Sequence, residues 1–109
     1  MAEITLKGEV GVEINLTEVQ GLIKGIGEFD ELQINITSIG GCSETGRNIY
    51  DYLKSLGKPI ITKAIDYCYS AAFTIFCAGE KRISEYNNKE LLMHAPWMVG
   101  FFVGGDIEA

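Results

Sequence analysis

Hydrophobic positions recur along the chain with two different periods, and the switches between them mark out its elements. In EITLKGEVG, residues 3–11, apolar side chains fall at Ile4, Leu6 and Val10 with polar ones between, which is the period of a strand; Gly8 or Gly11 supplies the turn. Thr17 and Gln20 form a T-x-x-Q capping box, and Val19, Leu22, Ile23 and Ile26 follow at helical spacing. ELQINITS returns to period two, with Leu32, Ile34 and Ile36 on one face, so a second strand ends near Ser38, ahead of Gly40 and Gly41. Ser43 is placed to cap a second helix whose stripe Ile49, Tyr52, Leu53, Leu56 lasts until Gly57, with Pro59 preventing continuation. PIITKAI reads as a third, β-branched strand, 70–78 as a third helix closed by Gly79, and LLMH as a further strand ending at His94.

This alternation predicts an α/β protein with right-handed crossovers and a largely parallel sheet covered by helices on both faces. With 109 residues and no linker, repeat or low-complexity stretch, the chain is expected to form one domain, 1–109.

Composition narrows the partners. A net charge of −6, a pI near 4.7 and the lack of a Lys/Arg cluster interleaved with aromatics argue against nucleic acid. A hydrophobic content of 47% and a mean hydropathy of +0.13 are rich for so short a chain and favour a homo-oligomer. The longest apolar stretches, 71–78 and 95–103, fall short of the roughly 20 residues that span a bilayer, and no basic segment precedes an apolar one at the N-terminus, so neither membrane insertion nor export is expected. Three cysteines without a C-x-x-C pair suit reduced thiols in a cytoplasm, and a single histidine gives a metal site little support.

Three features would gather at the strand ends where ligands bind in such a layer protein: Gly40-Gly41 after the second strand, Ser70 after the third, and His94 closing the fourth. A serine at a helix start stands beside backbone N–H groups able to stabilise an oxyanion, and Ala71 and Ala72 keep its approach open. Gly41, without a Cβ, lets a second N–H come close, and His94 is the side chain suited to take the serine proton near neutral pH. Each has a plainer reading: Ser70 as an N-cap, His94 as a half-buried strand-end histidine, Gly40-Gly41 as a tight turn. Cys42, Cys68 and Cys77 read as packing residues. PWMVGFF, 96–102, reads as core, as a groove lining or as a subunit contact.

INITSIGGCSETGRNIYDYLK, YSAAFTIFCAG and LLMHAPW, in this order, resemble the three blocks of the Clp peptidase family and, within it, the phage prohead (head-maturation) protease branch. The resemblance runs over residues 4–104. It implies a crotonase-like fold, a repeated ββα spiral, in place of the simple sheet. It also implies Ser70 as nucleophile, His94 as general base, and the N–H groups of Gly41 and Ala71 as the oxyanion hole. The activity implied is that of a serine endopeptidase, Clp-type or ATP-independent, that works through an acyl-enzyme without metal or cofactor. Such an enzyme forms homo-oligomeric rings in the bacterial cytoplasm or the prohead and cleaves peptides or phage capsid and scaffold proteins; an unfoldase partner is left open.

The chain departs from the family pattern at Asp66 and Cys68, where glycine and alanine are usual, and at Ile39, where the turn usually has proline. Fifteen residues follow His94, and none matches the acidic member of the triad. The chain therefore reads as a peptidase head domain truncated at its C-terminus. A triad without its orienting carboxylate can lose on the order of 10⁴ in rate, so little activity is expected of it. The alternatives are an assembly module that has lost its chemistry and an acyl-CoA enzyme of the crotonase-like class.

Overall fold

The computed structural model describes residues 2–84 and 107–108. The first strand, β1 (Ala2–Val10), buries Ile4, Leu6 and Val10 and exposes Glu3, Thr5 and Lys7, as the period-two pattern requires. It is followed by α1 (Leu16–Ile26), β2 (Leu32–Gly41), α2 (Ser43–Ser55), β3 (Ile60–Cys68), α3 (Ala71–Phe76), β4 (Lys81–Ser84) and β5 (Ile107–Glu108). The strands form one sheet in the order β1-β2-β3-β4-β5, with every neighbouring pair parallel.

Among the described residues, that order departs from the expectation of two covered faces. Right-handed crossovers change face only where strand order reverses, and here it advances steadily, so successive helices lie on the same side. Ile4, Leu6, Leu32, Ile34, Ile36, Ile60 and Ala64 are buried on that side, and α2 packs against both α1 and α3. The opposite face carries Glu3, Thr5, Lys7, Gln33, Asn35 and Lys63. On it Gln33 Nε2 donates to Asn35 Oδ1 (2.8 Å), and Asn35 Nδ2 donates to Glu3 Oε2 (2.6 Å).

The long strands are not uniform. Register shifts interrupt β1 between Lys7 and Glu9 and β2 between Ile36 and Ser38. In β3 the matching irregularity holds Asp66 at φ 62°, and the freed Ile65 carbonyl accepts from Thr37 Oγ1 at 2.8 Å. Each long strand is thus two strand segments followed by a helix, the ββα unit that the resemblance implies.

Two helix starts differ from expectation. Asn15, not Thr17, caps α1: its Oδ1 accepts from the Glu18 N–H at 2.9 Å, which places Thr17 inside the first turn. Cys42, not Ser43, occupies the N-cap of α2, without a side-chain capping bond, and Ser43 is the first helical residue. Strand β4 was not foreseen, because Lys81, Arg82, Ile83 and Ser84 carry no apolar alternation. Its pairing with β3, which sets the buried Ser84 opposite Ala64, makes it a strand. The strand expected at 91–94 lies outside the described residues.

Helix α3 is short and almost wholly internal, with Ala72, Phe73, Ile75 and Phe76 fully buried; burying each of the larger side chains contributes about 1.5–3 kcal/mol. Thr62 of β3 closes its C-terminal end by donating Oγ1 to the Phe76 carbonyl at 2.6 Å. Gly79 then crosses directly over Thr62, where a Cβ would lie 2.8 Å from the Thr62 nitrogen. Thr62→Val keeps the shape but removes the shorter of the two hydrogen bonds to the buried Phe76 carbonyl, leaving only the Gly79 N–H at 3.3 Å. It should cost about 0.5–1.5 kcal/mol in urea unfolding, with the m-value unchanged.

Candidate active site

The C-terminal ends of β2 and β3 meet at a pair of loops tied together by Ser38. This serine is 1% exposed; its Oγ accepts from the Gly40 N–H at 3.0 Å, and its carbonyl accepts from the Tyr69 N–H at 3.0 Å. One buried residue therefore fixes both the glycine turn and the segment leading into Ser70.

Ser70 sits between β3 and α3 with φ 52° and ψ −123°, and the Ala72 N–H donates back to the Tyr69 carbonyl at 3.0 Å. These angles belong to the first central position of a type II′ turn, a conformation that L-residues other than glycine adopt at a cost of about 1–3 kcal/mol. Ser70 occupies the N-cap position, yet its side chain makes no capping hydrogen bond and the residue is exposed. A serine serving only as a cap would hold an extended backbone and accept from the helix. This one instead presents its Oγ outward from a sharp strand-to-helix turn, the shape of a nucleophile elbow.

Gly40 explains how the turn is held. Its φ is +99°, and a Cβ there would lie 2.7 Å from Ser70 Cβ, 2.7 Å from the Tyr69 carbonyl oxygen and 3.3 Å from the Ala71 nitrogen. The two turns thus touch backbone to backbone. Gly41, exposed at the end of β2 with φ +144°, is pressed from the other side, since a Cβ there would overlap the Val10 carbonyl oxygen. Val10 in turn accepts from the Cys42 N–H at 2.8 Å. As the first residue of α3, Ala71 has an N–H with no acceptor inside the helix.

Of the four residues singled out from the sequence, Ser70 and Ala71 lie against Gly40, and Gly41 is the next residue along. His94 lies outside the described residues. Sequence reasoning missed two supports. Ser38 stood within the quoted turn without a role. Gly46 lies inside α2, where glycine is intrinsically poor, and a Cβ there would come 2.8 Å from the Ala71 carbonyl oxygen. That mid-helix glycine was the readable signal of a close approach. Asp66, four residues before Ser70, adopts a left-handed backbone, a conformation that suits the glycine usual at this position in the pattern the chain resembles.

The cysteines separate into two kinds. Burial, and then the neighbouring Cys77, push the Cys68 thiol well above its ordinary value; burial lifts Cys77 to about 12 despite the nearby Arg82. Both fit the packing role. Cys42 does not: it is exposed at the start of α2, and hydrogen bonds from the Thr45 side chain and then its backbone hold the thiol below its ordinary value. The packing assignment fails for Cys42 because the chain there leaves the sheet edge for the surface. Among the described residues, no three or more His, Cys, Asp and Glu side chains cluster closely enough to hold a metal ion, and no helix is long and apolar enough to cross a membrane.

Gly40→Ala should displace the Ser70 turn and destabilise the fold by about 2 kcal/mol, read as a drop in the thermal midpoint. In the folded protein iodoacetamide should modify Cys42 alone. A lowered pKa populates the thiolate earlier, so the rate should rise with a pH midpoint below 9.0, while Cys68 and Cys77 react only after unfolding. Peptide mass mapping across a pH series reads both.

A family model described as Clp protease matches residues 3–109. Among solved structures, ClpP1 from Listeria monocytogenes matches with a TM-score of 0.66 and 28% identity over 75% of this chain and 50% of that one. A point mutant of the same protein matches with a TM-score of 0.66 and 23% identity over 91% of this chain and 64% of that one. This chain thus spans between half and two thirds of the length of those structures. No curated protein sequence matches it. With the family model running through β1 to β5 and a shared α/β parallel-sheet architecture, the chain belongs to the Clp protease family.

Proposed function

We propose that this chain is the head domain of a ClpP-type serine endopeptidase, with Ser70 as nucleophile and His94 as general base. The observation that carries the reading is the backbone of Ser70: a left-handed serine, exposed and not capping its helix, is strain that an ordinary helix start has no reason to hold. In this reading Ser70 Oγ attacks the carbonyl carbon of the scissile peptide as His94 takes its proton. The Gly41 and Ala71 N–H groups receive the charge on the tetrahedral oxygen. The C–N bond then breaks, the amine leaves with the proton from His94, and water hydrolyses the acyl-enzyme by the same steps in reverse roles.

The substrate class and assembly follow from the resemblance. The likeness of the three sequence blocks to prohead proteases supports phage capsid or scaffold proteins as substrates, and membership of the family supports a homo-oligomeric ring in the bacterial cytoplasm or prohead. No metal or cofactor has a part in the reaction. An assembly module without chemistry accounts for the sheet and helices but gives no purpose to the strained turn at Ser70.

A fluorophosphonate probe, which needs a single attack rather than turnover, should label the wild-type chain slowly, with the adduct on the peptide that carries Ser70. Labelling should vanish in Ser70→Ala and slow by about 10²-fold or more in His94→Ala, the usual contribution of a general base. Equal labelling of wild type and Ser70→Ala would remove the nucleophile assignment.

A further inference from the structure

Among the described residues β1 is the terminal strand of the sheet. Its Ala2 N–H donates to the Glu31 carbonyl at 3.1 Å, so the backbone groups of even-numbered residues face β2, and those of Glu3, Thr5 and Lys7 face outward. Above Lys7 the edge is closed: the Glu9 N–H donates to Glu13 Oε1 at 2.8 Å, and the Glu9 carbonyl accepts from the Val12 and Ile14 N–H groups, both at 3.1 Å. The open stretch is therefore short and symmetric about Thr5.

We propose that two copies of this chain join through this edge, with β1 antiparallel to the β1 of the second copy about a two-fold axis at Thr5. In that register Glu3 of each copy lies opposite Lys7 of the other, and Thr5 lies opposite Thr5. The outward N–H and C=O groups of each opposed pair exchange hydrogen bonds, and both charge pairs are attractive. A parallel, in-register pairing would set Glu3 against Glu3 and Lys7 against Lys7. The Glu3 carboxylate is ordered on the open face by Asn35 of β2, itself held by Gln33, so it is the long Lys7 side chain of the second copy that must reach across the new strand pair to meet it. Charged residues on an edge strand ordinarily deter pairing, but here the spacing of opposite charges makes the edge complementary to its own rotated copy.

Sedimentation velocity over a dilution series tests the contact. The wild-type chain should dimerise, and Lys7→Glu or Glu3→Lys alone should weaken the dimer about tenfold, since each reversal turns both charge pairs repulsive. The double variant Glu3→Lys with Lys7→Glu restores the complementarity and should regain most of the affinity. In a Cys42→Ser background, Thr5→Cys should form a disulfide-linked dimer across the axis, because residues opposed in this way stand about 5.5 Å apart at Cα, within disulfide reach. A wild-type chain that stays monomeric, a double variant no tighter than the singles, or Thr5→Cys that fails to cross-link would each overturn the proposal. A ring formed through other surfaces would survive Lys7→Glu and leave Thr5→Cys unlinked, so the two assemblies are read separately.

Discussion

The contact between the Gly40 turn and the Ser70 turn is the constraint on which the candidate site depends. Two strand ends can come this close only where one of them lacks a side chain, and the space that a Cβ of Gly40 would need is filled by Ser70 and the Tyr69 carbonyl. Ser38 supplies the polar half of the same constraint. Its hydroxyl and carbonyl satisfy one N–H from each turn, so the approach leaves neither donor orphaned in a buried setting. Gly46 admits Ala71 against α2 on the far side, and the fully buried Phe73 and Phe76 anchor α3 beneath. The unusual backbone of Ser70 persists because the Gly40 turn, Ser38 and the packed start of α3 hold the residues on either side of it.

Much of this was legible in the sequence, for reasons that can be assigned to residues. Leu32, Ile34 and Ile36 alternate because one face of β2 meets the helices and the other carries Gln33 and Asn35, so period alone located the strand. Ser70 at a strand-to-helix junction and the glycine pair after β2 were visible as residue types in order. What no local pattern encodes is that Gly40 rests on Ser70, thirty residues away. The helix caps were misplaced for a simpler reason: NLTEV offers both Asn15 and Thr17, and Asn, the stronger cap, also has Glu18 three residues on. The number of covered faces depended on strand order, which pairing decides and composition does not. Strand β4 escaped notice because its charged, four-residue stretch owes its conformation to its neighbour β3.

Chemistry is likewise divided by position rather than by residue type. Three cysteines look equivalent in the sequence, yet two lie in the core, where a thiolate would be expensive, and the third stands at a surface turn beside Thr45. Serine shows the same contrast: Ser38 and Ser70 lie near one another, the first internal and fully engaged in holding the scaffold, the second exposed with no cap to make.

The steady advance of strands β1 to β4 across the sheet also bears on how the chain acquires its shape. Each strand pairs with the one made just before it, and each intervening helix docks on a layer already begun, so contacts run between consecutive strand–helix units rather than between the two ends of the chain. A ribosome releasing this chain from its N-terminus would present every new strand to a finished template. The Ser70 elbow would follow the glycine turn in that order, seated only once the turn beneath it had been laid down, so that this strained geometry is acquired after the scaffold that restrains it.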